Sequence, residues 1–172
     1  VANAGADRFI VHARKALLSG LNPKQNRTIP PLKYDVVQKL KQINPGLLIE
    51  INGGFTNIDQ CISALKDFDG VMIGRSAYKH PLIWSGIDEN IYGENITQKS
   101  CSQIIFSLIP YLEKHLENGG ETWDICKHLI NLVEKIPKAK IWRKQVSIKS
   151  TKNELSIDYL IKMTNELQKM GY

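Results

Sequence analysis

Gly53, Gly54, Gly74 and Arg75 are the residues whose types and spacing point most directly to chemistry, and that chemistry is the holding of an anion. Gly53-Gly54 ends the mainly apolar run Leu47-Leu-Ile-Glu-Ile-Asn52, and Gly74-Arg75 ends Asp69-Gly-Val-Met-Ile73. Each run is followed by a helical pattern, as where a buried parallel strand hands over to a helix through a tight turn. Glycine lets the backbone approach an anion, the N–H groups of the following helix point at it, and an arginine adds a bidentate cation. Two such junctions in register favour a phosphate site over glycines that only shape turns. His12 closes a third apolar run, Arg8-Phe-Ile-Val-His-Ala13; a lone histidine at a strand end is more often structural, but on the functional face of a β/α architecture its ring can donate a hydrogen bond to a phosphate or ring oxygen. In Asn22-Pro-Lys-Gln-Asn-Arg27, Lys24 and Arg27 lie one turn apart if the segment holds a helical turn, suited to gripping neighbouring phosphates.

The elements that would position these groups follow from pattern. Strands are expected over 8–13, 47–52 and 70–73, and phosphate held by two consecutive strand-to-helix loops is a property of β/α barrels, after their seventh and eighth strands. Residues 16–31 form a long connection broken by Gly20, Pro23, Pro30 and Pro31. A helix over 34–44 presents Val36, Val37, Leu40 and Ile43 to the sheet, and another over 57–68 has Asn57 as its N-cap. Helical pattern continues from Arg75 to Tyr78 and from Pro81 to Tyr92. From about residue 93 no strand-glycine-helix unit recurs. Helices are predicted over 97–118, with Pro110 kinking or breaking the first, then 121–134, 137–147 and 153–170, enough for a small bundle.

The 172 residues are 42% hydrophobic and 23% charged, ordinary for a soluble globular protein, and no apolar run reaches the roughly 18 residues that would suggest a membrane span. The start at Val1, without methionine, suggests a segment of a longer chain. Cys61, Cys101 and Cys126 are widely spaced and lack neighbouring ligand histidines, so they read as reduced, intracellular thiols and no metal site is expected. The net charge of +6 is concentrated in two blocks free of acids, Arg14 to Lys33 and Lys138 to Lys152, which suits a polyanionic partner.

Taken together, Phe9-Ile-Val-His-Ala-Arg-Lys-Ala16, Gly20-Leu-Asn-Pro-Lys-Gln-Asn-Arg27 with Ile29-Pro-Pro-Leu32, Ile51-Asn-Gly-Gly54, Asp69-Gly-Val-Met-Ile-Gly-Arg75, and Lys127-His-Leu-Ile-Asn-Leu132 with Ala139-Lys-Ile-Trp-Arg-Lys144 resemble signature blocks of the tRNA-dihydrouridine synthases. The likeness is to the C-terminal half of the A subfamily. It implies an α/β TIM barrel, of which the last three β/α units would occupy residues 1–92, followed by an all-α tRNA-binding domain over 93–172. It also implies an oxidoreductase in which NADPH reduces FMN, and the flavin then reduces uridine at C6 in tRNA while a cysteine protonates C5. By the same resemblance His12, Asn52, Gly53, Gly54, Gly74 and Arg75 would bind FMN, and Lys24, Arg27, Lys140 and Arg143 would contact tRNA.

The family's Gly-Cys-Pro cysteine, its flavin-contacting barrel lysine and the first barrel strands are not in this sequence, so the full-length parent should be the enzyme and this piece alone inactive. Leu17 stands where the subfamily commonly has tryptophan, and Lys140 where it usually has arginine. The implied compartment is the cytoplasm or an organelle, with no membrane association. Two other readings of the same residues stay open: another FMN or sugar-phosphate barrel enzyme acting on a small molecule, and a non-catalytic RNA-binding protein.

Overall fold

The computed structural model describes residues 2–133, 136–137 and 139–172. Strands β1 (Arg8–His12), β2 (Leu48–Asn52) and β3 (Gly70–Met72) form a parallel sheet in the order β1-β2-β3. Between them lie helices α1 (Pro23–Asn26), α2 (Tyr34–Ile43) and α3 (Ile58–Ala64), and α4 (Arg75–Lys79) follows β3. A 3-10 turn (Pro81–Trp84) and α5 (Ile87–Tyr92) lead to α6 (Cys101–Glu117), α7 (Thr122–Leu132), α8 (Lys140–Thr151) and α9 (Ile157–Lys169). The chain divides into two compact units, residues 1–77 and 78–172.

Register explains what the first unit buries. Phe9 pairs with Ile49, and Val11 with Ile51, which pairs with Val71, so one face of the sheet is an apolar row. Ile49 and Ile51 are buried there together with Val37, Phe55, Cys61 and Phe68 from the helical side. On the opposite face Ile10, Leu48 and Met72 are about half exposed, and an Arg8–Glu50 ion pair at 2.9 Å crosses from β1 to β2. A sheet buried on one side only shows alternation rather than a continuous apolar run. The stripe expected on α2 is accordingly only partly covered: Val37 is buried, whereas Val36, Leu40 and Ile43 remain exposed.

One carboxylate pins the far end of this sheet. Asp69 Oδ2 accepts from the Ile49 N–H at 2.7 Å and from Lys41 Nζ at 2.7 Å, while Lys41 also donates to the Leu47 carbonyl at 2.8 Å. The end of α2, the start of β2 and the start of β3 are thereby tied at one point. The Lys41 hydrogen bond, with the Ile49 N–H, holds the Asp69 carboxyl below the usual aspartate range.

In the second unit Cys101, Ile105, Ile109 and Leu112 of α6 meet Cys126, Leu129 and Leu132 of α7, Trp142 and Val146 of α8, and Leu160 and Leu167 of α9 in one core. Helix ends are sealed by their own side chains: Ser100 accepts from Gln103 N–H, Gln103 accepts from Ser100 N–H, and Ser156 accepts from Tyr159 N–H. Of the kink or break expected at Pro110, the break does not occur: α6 continues through it. The bond that it removes is to the carbonyl one turn back on a solvent-facing side, while Ile109 and Leu112 anchor the buried side. The segment 81–92, expected as one helix, is interrupted at Ser85–Gly86, and Trp84 is the large side chain that it buries. Leu82 packs on the helical core, so the compact division falls at 77/78 and not at the 92/93 change of composition. The basic helix begins at Lys140 rather than 137, and the last helix at Ile157 rather than 153. Glu134 of the helix predicted over 121–134 and Lys138 of the basic block lie outside the described residues. Among the described residues no helix is long and apolar enough to cross a membrane.

All three thiols are core groups. Burial pushes the Cys101 thiol up to about 12 and the Cys126 thiol to about 11, and raises that of Cys61. At pH 8 a soluble thiol reagent should therefore label none of the three in the folded chain, and all three should react once urea unfolds it.

Because the folded pKa of Asp69 lies below its unfolded value of about 3.9, its stabilisation is complete above that pH and fades as pH falls through the folded value. Asp69→Asn should cost about 1 kcal/mol at pH 7 by urea denaturation, and the gap from the parent chain should close as pH falls through the folded value of Asp69.

Candidate anion and nucleotide site

The C-terminal ends of the three strands meet in one row, because His12 is paired with Asn52 and Asn52 with Met72. Asn52, in the middle, reaches both ways. Its Nδ2 donates to the Met72 carbonyl at 2.8 Å, and its Oδ1 lies 2.6 Å from His12 Nδ1. Since the amide nitrogen is committed to a carbonyl, Oδ1 must be the acceptor, so His12 carries a proton on Nδ1 and turns Nε2 away from the contact. A neutral His12 then offers a ligand an acceptor; it donates from Nε2 only as an imidazolium. The β1 end is further tied in by Ala13 N–H to the Asn52 carbonyl, at 2.8 Å.

Beyond this row the chain turns through Gly53 at φ 123° and Gly54 at φ 81°, conformations that suit glycine. A Cβ on Gly53 would lie 2.9 Å from Leu32 Cδ2, and one on Gly54 would lie 2.5 Å from Leu32 Cδ1 and 3.0 Å from Tyr34 Oη. Tyr34 Oη donates to the Gly53 carbonyl, and its ring packs 5.8 Å from Phe55. Burial raises the Tyr34 hydroxyl above the ordinary phenol range, partly opposed by the nearby charge of Arg14, so it stays a donor at neutral pH. Tyr34 had only seemed to open a helix. Its sequence signal, an aromatic at the first position of α2 two residues after Leu32, has no meaning until the chain folds back over Gly53.

The handover from the first glycine turn is less direct than expected. Phe55, Thr56 and Asn57 intervene before α3, Asn57 Oδ1 accepts from Gln60 N–H, and Gln60 Oε1 accepts from Thr56 N–H. The opening amide of α3 at Gln60 is thus capped by the protein itself. At the second turn, Gly74 is followed at once by Arg75, the first residue of α4, and a Cβ on Gly74 would meet nothing within 4 Å. Arg75 Nη2 donates to the Arg27 carbonyl at 3.0 Å, which leaves other donors of its guanidinium fork for a ligand.

That contact connects the strand ends to the long loop. The expected helical turn is there: α1 is capped by Asn22 and Gln25 in a reciprocal box, Lys24 is exposed within it, and Arg27 is its exposed C-cap. Asn26 holds the loop closed by accepting from Leu17 N–H at 2.8 Å and donating to the Leu17 carbonyl at 2.9 Å. In the other compact unit, Lys140 opens α8 and Arg143 lies three residues on, on the same side of the helix. The first turn of α8 has no acid and no side-chain cap, so two cations sit where the helix dipole disfavours them. Arg143 Nε is shielded from solvent and makes no hydrogen bond among the described residues.

The family model described as dihydrouridine synthase (Dus) matches residues 1–168. A tRNA-dihydrouridine(20/20a) synthase of Synechocystis sp. is 48% identical over 147 residues, 86% of this chain and 44% of that protein. One from Shewanella oneidensis is 43% identical over 154 residues, 90% of this chain and 46% of that protein. One from Vibrio parahaemolyticus is 40% identical over 167 residues, 95% of this chain and 51% of that protein. The chain spans about half the length of the curated relatives that it matches. With these likenesses running through β1 to β3 and the helices beyond, the chain belongs to the dihydrouridine synthase family.

Proposed function

We propose that this chain forms the flavin-phosphate wall and the tRNA-holding helices of an A-subfamily tRNA-dihydrouridine synthase, β1 to β3 being the last three strands of a TIM barrel and residues 93–172 the tRNA-binding domain. The observation that carries this reading is the row His12-Asn52-Met72, which gathers three strand ends beside Gly53, Gly54, Gly74 and Arg75. A β/α enzyme binds its ligand at that end of its strands. The site suits FMN: positive-φ glycines at one turn, open space over Gly74 and a guanidinium with donors to spare suit the phosphate, and the outward Nε2 of a neutral His12 can accept a hydrogen bond from the cofactor. When bound, FMN supplies the hydride that reduces a uridine in tRNA to dihydrouridine, with NADPH as the reductant.

This chain's own groups then have distinct tasks. Gly53, Gly54, Gly74 and Arg75 hold the flavin phosphate, while Asn52 orients His12 toward the cofactor. Arg75, through the Arg27 carbonyl, keeps the loop of Lys24 and Arg27 at the edge of that site, where both side chains engage tRNA phosphates. Lys140 and Arg143 bring two further cations to the RNA, and the anionic backbone offsets the unfavourable dipole at the start of α8. Cys61, Cys101 and Cys126 are buried with raised thiol pKa values and do not donate the proton to C5. That donor belongs to barrel strands other than these three.

In the full-length protein, Lys24→Ala with Arg27→Ala should weaken tRNA binding and lower the slope of log K against log salt by about 2, with flavin content unchanged. Identical salt titrations for variant and parent would refute the assignment of these two residues.

A further inference from the structure

The Gly53–Gly54 turn does not set its own direction. Leu32 and Tyr34 lie across it, and they are fixed independently, because Lys33 N–H donates to the Ala13 carbonyl at 2.7 Å and Leu32 bridges to Arg14. The Tyr34 hydroxyl draws the Gly53 carbonyl toward α2. In a trans peptide the carbonyl and the following N–H point in opposite directions, so this bond turns the Gly54 N–H away from Tyr34. That N–H donates to no acceptor among the described residues. A Cβ on Gly54 would meet only Leu32 and Tyr34, and one on Gly53 would meet Leu32 and the His12 ring.

We infer that Tyr34 is a positioning residue for cofactor binding: its hydroxyl locks the Gly53–Gly54 peptide so that the Gly54 N–H is presented to the flavin phosphate. The inference rests on the phosphate reading given above and adds a residue to it. Without the hydroxyl the glycine pair is free to rotate this peptide, since glycine adopts either sign of φ with little cost. The Leu32 contact and the Tyr34 ring contact with Phe55 would both survive in a phenylalanine variant, so the packing is retained and only the lock is lost.

Riboflavin, which lacks the phosphate, separates this role from a merely structural one. In full-length protein stripped of flavin, Tyr34→Phe should weaken FMN binding about five- to tenfold, the worth of one well-placed hydrogen bond, and leave riboflavin binding within about twofold. The titrations are read by quenching of flavin fluorescence. Tyr34→Ala, which also removes the ring, should weaken both flavins. Unchanged FMN affinity in Tyr34→Phe, or an equal loss for both flavins, would overturn the role given to Tyr34. A parent protein that binds FMN no better than riboflavin would instead overturn the phosphate reading beneath it.

Discussion

The carboxamide of Asn52 is the constraint on which the candidate site depends. Parallel strands pair through their backbones, but nothing in that pairing makes three strand ends present their side chains as one surface. Asn52 does so by donating to β3 at Met72 and accepting from β1 at His12. Those two bonds also choose the histidine tautomer, and with it the atom that faces outward. The interaction is partly exposed, so its net worth to stability is about 1 kcal/mol; its consequence is mainly geometric. Everything beyond it, from the Gly53 carbonyl held by Tyr34 to the Arg27 carbonyl held by Arg75, extends the same device: a side chain from one β/α unit fixes the backbone of another.

The two compact units are built on different economies. In the first, the apolar row of Ile49 and Ile51 is covered on one side, and the other side carries Arg8, Glu50, His12 and Asn52 with half-exposed Ile10, Leu48 and Met72. Such a face is too polar for a closed core and too apolar for plain solvent. The helical unit, by contrast, buries a contiguous set from four helices, and the buried hydroxyls of Ser150 and Thr164 are satisfied one turn back, by the Val146 and Leu160 carbonyls. A self-sufficient helical unit can afford an unfavourable pair of cations at the start of α8, which a marginal one could not.

Period and punctuation made most of the architecture legible in the sequence. The strands at Arg8, Leu48 and Gly70, the Asn57 cap and the core position of Cys61 all follow from local rules that folding did not override. Local rules failed where distant residues decide. Pro110 reads as a breaker, yet its cost falls on the solvent side of a well-anchored helix. Val36, Leu40 and Ile43 read as buried, yet of that stripe only Val37 is covered. The glycines and Arg75 were visible because their types are unusual at strand ends. Tyr34 and Asn26 were not, since the bonds that give them value reach partners 19 and 9 residues away.

The central claim, that Asn52 knits the strand ends and orients His12 outward through Nε2, can be read from the imidazole itself. In protein labelled with 15N at histidine, NMR of the neutral ring should find the proton of His12 on Nδ1 and a bare Nε2, and Asn52→Ala should shift the population toward the Nε2–H form. A parent protein whose neutral His12 already carries its proton on Nε2 would contradict the account.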